Sequence, residues 1–559
     1  MKSTSFILSL LCLFSTTINA ESSNLKNVLK QTAEKISTVE DKKYRYEQTL
    51  TWNENRPYKV VFETVRTGSK GGPLTETYHF NLADFDVNSI RWKNERDKIN
   101  VTLTADNRLK SIQYFKEGEM QNYTDNVQII AVDVDNAKEI EGLLKSTIAD
   151  AKKMFEAELN LNSFEERKSW MQKNIVEFTA GDDRFIQSVA WVADYPSVLS
   201  YELVTEKKNE KWQFNLADIR AQTVELQVNG KDVYVELKTK ASEKYIRYES
   251  SDELKGYDSD LKIYLSNIDA ARHLKNILKD LIPESEKAMK SHTPQPESGA
   301  AALELLATSI GKVTENLNVY DQKIEANCIT TLTIEGTEKD KPVDEVYTLN
   351  LGDLNDKKLA LGVKGTSLFV ETNVPNKKAL VQVMENGESS NYSDDFTVRA
   401  EDIEQAKTIM VALETAIVHC KENIKLDVPT GDAQTQINWL STHIKSVKSG
   451  SKDYSQTLKM MEGETCKWEF VLMTDDGKKN VEEIYQFNLS DIDSKRIDFE
   501  ISKQEMGFII ATKRSEKIIK YFKDGEPDNY QNEFLIRANS VEAARNMMES
   551  MRQAIEGCE

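Results

Sequence analysis

Two hydrophobic periodicities alternate along the chain. Stretches with an apolar residue at every second position have the spacing of strands buried on one face. They include Cys466, Trp468, Phe470 and Leu472, and Val101 and Leu103 alternating with Thr102 and Thr104. Stripes with apolar residues three or four apart have the spacing of an amphipathic helix. They include Ala137, Ile140, Leu144 and Ile148, and Ala544, Met547, Met551 and Ile555. Gly and Asp-Gly steps such as Asp524-Gly525 mark hairpin turns between strands. A helical pattern also opens each block of strands, near residues 24–38, 161–175, 301–315 and 433–447. The predicted class is α+β: a leading helix, a compact antiparallel sheet or sandwich and a C-terminal capping helix, four times over.

That order has a signature. Asn81-Leu82-Ala83-Asp84 recurs as Asn215-Leu216-Ala217-Asp218, Asn350-Leu351-Gly352-Asp353 and Asn488-Leu489-Ser490-Asp491, at spacings of 134, 135 and 138 residues. Beyond the motif the copies align without insertion through Val101, Val235, Val370 and Phe508 to Tyr123, Tyr257, Tyr392 and Tyr530. The alignment continues to Ala137, Ala271, Ala406 and Ala544. The chain is therefore read as tandem repeats of domain size: 21–158, 159–290, 300–427 and 428–559, preceded by a 1–20 segment. The stretch 291–299, with Pro294 and Pro296, is the expected linker, leaving copies 1 and 2 as one tight pair and copies 3 and 4 as another.

The cysteines follow the same register. Cys328 and Cys466 each lie 22 residues before their motif asparagine, and Cys420 and Cys558 each lie 70 after it. Their spacing suits no structural metal site. In an exported chain it predicts the disulfides Cys328–Cys420 and Cys466–Cys558. Each bridge places an early strand beneath the closing helix.

A compact antiparallel sheet closed by a C-terminal helix resembles the pleckstrin-homology-like superfold. The resemblance rests on the strand ending in Asn-Leu-x-Asp, the later strands and the Asp135-Asn136-Ala137 start of the last helix. It spans about 100 of the roughly 135 residues in each copy and implies a fold rather than an activity. Lipid-binding members place basic residues around the first hairpin. Here that region is mixed in Lys42-Lys43-Tyr44-Arg45-Tyr46-Glu47 and net acidic in Asp182-Asp183-Arg184, so phosphoinositide binding is not implied. The leading helix is a departure from the superfold.

Composition adds a compartment. Lys2, an apolar run from Phe6 to Phe14 and the small-residue end at Ala20 have the order of a secretory signal peptide. Cys12 follows Leu10-Leu11, a poor context for lipid anchoring. No later stretch approaches the ~20 apolar residues of a membrane span. The net charge of −19 disfavours nucleic acid and anionic lipid as partners, since both need clustered Lys and Arg. Asn100, Asn122, Asn391 and Asn488 begin glycosylation triplets, but Asn488 sits in the motif at a strand end, where a glycan fits poorly. A bacterial periplasmic or secreted protein is the expectation.

Candidate chemistry is sparse. His79, His273, His292, His419 and His443 fall at non-equivalent positions, and no phosphate loop, nucleophile elbow or zinc-protease helix is present. The motif residues Asn81, Asp84, Asn215, Asp218, Asn350, Asp353, Asn488 and Asp491 are read as turn builders rather than cation ligands. A second recurrent cluster, Glu119, Asn122 and Tyr123, returns as Glu388, Asn391 and Tyr392 and as Glu526, Asn529 and Tyr530. It follows a turn, where binding residues often sit, and is the candidate ligand rim. Together these features predict a non-enzymatic exported scaffold without cofactor or metal, binding an unknown protein or cell-envelope ligand through four similar surfaces. The alternative is a hydrolase or small-ligand carrier with one site in a diverged copy or in the cleft between the halves.

Overall fold

The computed structural model describes residues 22–69, 71–95, 98–180 and 183–558. The expected signal peptide, with Cys12, lies outside them, as does Asp182. Among the described residues the fold is mixed α+β, with eight helices and eight antiparallel sheets in four repeats. They gather into two compact units. The first comprises the chain to Glu253 with Tyr257–His292, the second Leu254–Gly256 with the chain from Thr293 onward.

Copy 1 sets the plan. Helix α1 (residues 22–35) precedes β1 (Val39–Glu40), β2 (Tyr44–Trp52), β3 (Lys59–Gly68), β4 (Leu74–Asn81) and β5 (Phe85–Glu95). Strands β6 (Lys98–Ala105), β7 (Ile112–Lys116), β8 (Glu119–Thr124) and β9 (Asn126–Ala131) follow, then helix α2 (Val134–Ala157). The strands divide between two sheets, β1-β2-β3-β4-β7-β8 and β5-β6-β9. The other copies repeat both orders. Helices α3 (Phe164–Asn174) and α4 (Ile268–His292) flank the strands of copy 2. Helices α5 (Gly299–Ser309) and α6 (Ile403–Glu422) flank those of copy 3, and α7 (Ala433–His443) and α8 (Val541–Glu556) those of copy 4.

The two-residue period puts Tyr46, Gln48 and Leu50 of β2 inward, and the identical burial pattern recurs in Asp183–Trp191. In copy 1 one core joins Phe62 and Phe80 of the larger sheet to Val101 and Ile129 of the smaller. Ala137, Ile140, Leu144 and Ile148 of α2 complete it. The patterns near 301–315 and 433–447 give helices shorter than predicted. Buried Ile310 and Ile444 are extended, and the chain turns there into the short strands Val313–Glu315 and Val447–Ser449. Val313 and Val447, which continue the helical stripe, belong to these strands, Val313 buried and Val447 half-buried.

Both disulfides form, Cys328–Cys420 and Cys466–Cys558, with Cα atoms 5.2 and 5.8 Å apart. Near the first, α6 passes so close to the motif turn that a Cβ on Gly352 would meet the Cys420 carbonyl carbon and Lys421 nitrogen at 2.9 Å. That contact explains glycine where the other motifs carry Ala or Ser.

Candidate interaction surfaces

The Asn-Leu-x-Asp segment builds the same one-turn 3-10 helix in every copy. Each asparagine Oδ1 accepts from the backbone N–H two residues on, at 2.9 Å for Asn81, Asn215 and Asn350 and 3.1 Å for Asn488. Asp84, Asp218, Asp353 and Asp491 close the turns.

In copies 1 and 3 the turn is also a docking point. Within the first unit, the Arg272 guanidinium binds both Asp84 and Asp269, the latter in the first turn of α4. Asn81 Nδ2 donates to Asp269 at 3.3 Å, and Lys59 Nζ lies 2.5 Å from its other oxygen. Within the second unit the arrangement is reproduced on α8. Arg545 Nη2 is 2.5 Å from Asp353, its Nε is 3.3 Å from Glu542, and Asn350 Nδ2 donates to Glu542 at 3.3 Å. The closing helix of the second copy thus clamps the motif of the first. A sequence signal existed: the residue after the aligned alanine is Lys138, Arg272, Lys407 and Arg545 in turn, arginine only in the clamping copies.

Burial decides the electrostatics. It pushes Asp84 up to about 6, outweighing the pull of Arg272. It raises Asp353 in the same way against Arg545. Burial also presses Asp269 upward, but Arg272 and Lys59 together prevail and hold it below the ordinary carboxylate value.

A second device recurs in every copy. Gln48, Gln187, Gln322 and Gln456 are buried at equivalent inward positions of the second strand of each copy. Gln456 Nε2 donates to the carbonyls of Lys445 and Arg537, both at 3.0 Å, and its Oε1 accepts from Arg537 N at 2.8 Å. Gln48 and Gln322 make the same three bonds, to Ser37 and Ile130 and to Gly311 and Arg399. Gln187 bonds Val176 and Tyr264. One amide therefore joins the segment after the leading helix to the last strand of the smaller sheet. The pattern is legible as aromatic-x-Gln: Tyr46-Glu47-Gln48, Phe185-Ile186-Gln187, Tyr320-Asp321-Gln322 and Tyr454-Ser455-Gln456.

The candidate rim residues are not equivalent in space. Glu119, Asn122, Glu388, Asn391, Glu526 and Asn529 are all exposed. Tyr123 is buried and, with Met120 and Leu109, packs on the core of copy 2. Tyr392 is half-buried, and its backbone N donates to Lys503 O of copy 4 at 3.1 Å. Tyr530 is 50% exposed. The tyrosines of copies 1 and 3 thus belong to the seam inside each unit, and only the Glu and Asn side chains face outward there.

The first unit carries a cleft of about 660 Å³ where copies 1 and 2 meet, with Asp84 and Arg272 among its walls beside Arg108, Lys152, Phe155 and Lys275. Burial lowers the Lys275 ammonium. A second cleft, about 880 Å³, lies within copy 1 and includes Tyr44, Tyr46, Tyr78, Arg66 and Lys98. Two histidines stack on aromatic rings. His273 stacks on Phe155 at 4.6 Å and His443 on Trp439 at 3.8 Å, and burial lowers both His79 and His273. Among the described residues no group of three His, Cys, Asp or Glu is placed to hold a metal ion. No helix among them is long and apolar enough to cross a membrane. Comparison with protein-family models, with curated proteins and with solved structures found no match for this chain.

Proposed function

We propose that the chain is an exported, non-catalytic binding scaffold that displays four sandwich domains of pleckstrin-homology-like type to a repetitive cell-envelope ligand or protein. The reading is carried by one observation: the same two sheets, glutamine clamp and motif turn recur in all four copies. Repetition of one surface raises avidity without a deep pocket, because each further contact is made at high effective concentration. The test is affinity capture from a bacterial envelope extract with segments 22–292 and 293–558 separately. The same ligand retained by both segments, and more tightly by the full chain, is the expected result. Different ligands on the two segments, or capture by one alone, would overturn it.

A second reading, a small-ligand carrier, is favoured by the 660 Å³ cleft of the first unit, whose walls mix Arg108, Lys152 and Lys275 with Asp106, Glu156 and Glu225. It predicts saturable binding of one small ligand per chain, weakened in Lys275→Met.

A further inference from the structure

In the second unit, copy 3 docks on copy 4 through a defined set of contacts. The hairpin strand of copy 3 (Glu388–Ser389) and the residues after it meet the first hairpin of the smaller sheet in copy 4 (Phe499–Ser502 and Glu505–Ala511). Tyr392 N donates to Lys503 O at 3.1 Å, Gln504 Nε2 donates to Ser389 O at 2.7 Å, and Lys378 Nζ reaches both oxygens of Asp498 at 2.6 and 2.7 Å. The equivalent positions of copy 1, Leu109, Met120 and Tyr123, pack on copy 2. In both units, then, this face of the first copy is covered by the second.

Copy 4 has the same face uncovered. Tyr530, equivalent to Tyr123 and Tyr392, is 50% exposed. Ile518 is 41% exposed, whereas its equivalent Leu380 is 5% exposed. The edge strand Glu526–Gln531 is exposed over all but its last residue. Pro527 and the flanking acids discourage direct strand addition to that edge. The copy 3 contact does not rely on strand addition either, since it uses one backbone bond, side chains and an ion pair.

The charge pattern identifies an occupant. Lys378 of copy 3 pairs with Asp498 of copy 4. Copy 4 carries Glu516 where copy 3 has Lys378, and copy 1 carries Arg91 where copy 4 has Asp498. Glu516 and Arg91 are both exposed. Arg91 also borders an open groove of about 610 Å³ on copy 1, with Lys93 and Glu95. The ion pair found inside the second unit is thus available with its signs exchanged, acid on the copy 4 face and base on the copy 1 hairpin. We propose that copy 4 of one molecule docks onto copy 1 of a second molecule, head to tail, with Glu516 set against Arg91 as Lys378 is set against Asp498. A contact of this heterologous kind propagates rather than closes unless its rotation forms a ring.

Sedimentation velocity of the mature chain across the micromolar range tests this. Wild type should grow from monomer to dimer and longer species as concentration rises. Glu516→Lys and Arg91→Glu should each weaken association by at least about tenfold, the effect of replacing attraction by like-charge contact. Each variant retains the other's partner charge, so an equimolar mixture of the two should regain association and grow long species in which the two variants alternate. The double variant carrying both exchanges should again form long species. A chain that stays monomeric throughout, single variants that associate like wild type, or a mixture that does not pair would overturn the proposal. Unchanged far-ultraviolet circular dichroism of the exposed-site variants shows that a loss of association is not due to unfolding.

Discussion

Replacing Arg545 by methionine tests the clamp inside the second unit. Methionine keeps much of the apolar length of the side chain and removes the charge, so the change isolates the bonds to Asp353 and Glu542. Those bonds are shielded: the Arg545 side chain is 16% exposed and that of Asp353 is 9%. Breaking a buried ion pair from one side typically costs 3–5 kcal/mol, because a charge is left buried without a partner. Two features reduce the cost here. Glu542 is only partly buried and can be rehydrated, and Asp353, already raised by burial, can take up a proton once its cation is gone. About 2.5 kcal/mol is the resulting expectation at neutral pH, equivalent to roughly seventyfold faster exchange of the amides released by opening. Hydrogen exchange read by mass spectrometry on peptides spanning Leu351–Asp353 and the start of α8 measures it in the intact chain. The loss should also depend on pH in a stated direction. Without Arg545 the folded-state affinity of Asp353 for a proton rises further, so the penalty is full at neutral pH and shrinks as acidification protonates that carboxyl in the fold. A change of exchange below threefold, or a loss that does not shrink at pH 5, would refute the assignment of Arg545 as the buried partner of Asp353.

Other expectations follow from the same structure. Gln456→Leu leaves two carbonyls and one N–H of the sheet junction without partners and should destabilise copy 4 by about 3 kcal/mol, measured as a lower urea midpoint; Gln456→Glu, which cannot donate to the two carbonyls, should not restore it. Removing the Cys466–Cys558 bridge as a double alanine variant opens a loop with a sequence separation of 92 residues and should cost about 4 kcal/mol, whereas a change under 1 kcal/mol would mean that the unfolded copy is already compact. Asp84, with a folded-state value near 6 against 3.8 unfolded, binds its proton more tightly in the fold. Its stabilising contribution is therefore full below pH 4 and lost as pH rises through 6, at about 1.4 kcal/mol per pH unit in between. Asp84→Asn should flatten the stability profile of the first unit over that window, and an unchanged slope would contradict the assignment.

Much of the architecture was legible because the copies check one another. The equal offsets of Cys328 and Cys466 from their motifs, and of Cys420 and Cys558, could arise only if both copies place the early strand under the last helix, and the bridges form there. The asparagine turns were likewise readable, since an Asn two residues before a backbone N–H at a strand end is a local arrangement. What lay beyond reading was pairing across copies. Asn81 looks alike as a turn builder or as a donor to Asp269, 188 residues away. Local pattern carries no information about the partner. The split into two sheets was hidden for a related reason: alternation shows that a strand has an inner face but not which sheet it joins. The buried glutamines are hidden because a polar residue among strand positions reads as solvent-facing until its amide is seen bonding two carbonyls. The helical pattern near 301–315 and 433–447 overruns the leading helices because Val313 and Val447 continue the stripe while belonging to strands.

The Arg272 and Arg545 clamps make a locked pair of copies the cooperative unit of this protein. Differential scanning calorimetry of segment 22–292 tests that most directly, through the ratio of van't Hoff to calorimetric enthalpy. Copies 1 and 2 unfolding together give a single transition with a ratio near one. Two resolved transitions, or one with a ratio near one-half, would mean that the copies melt independently and that the clamp does not bind them into a unit.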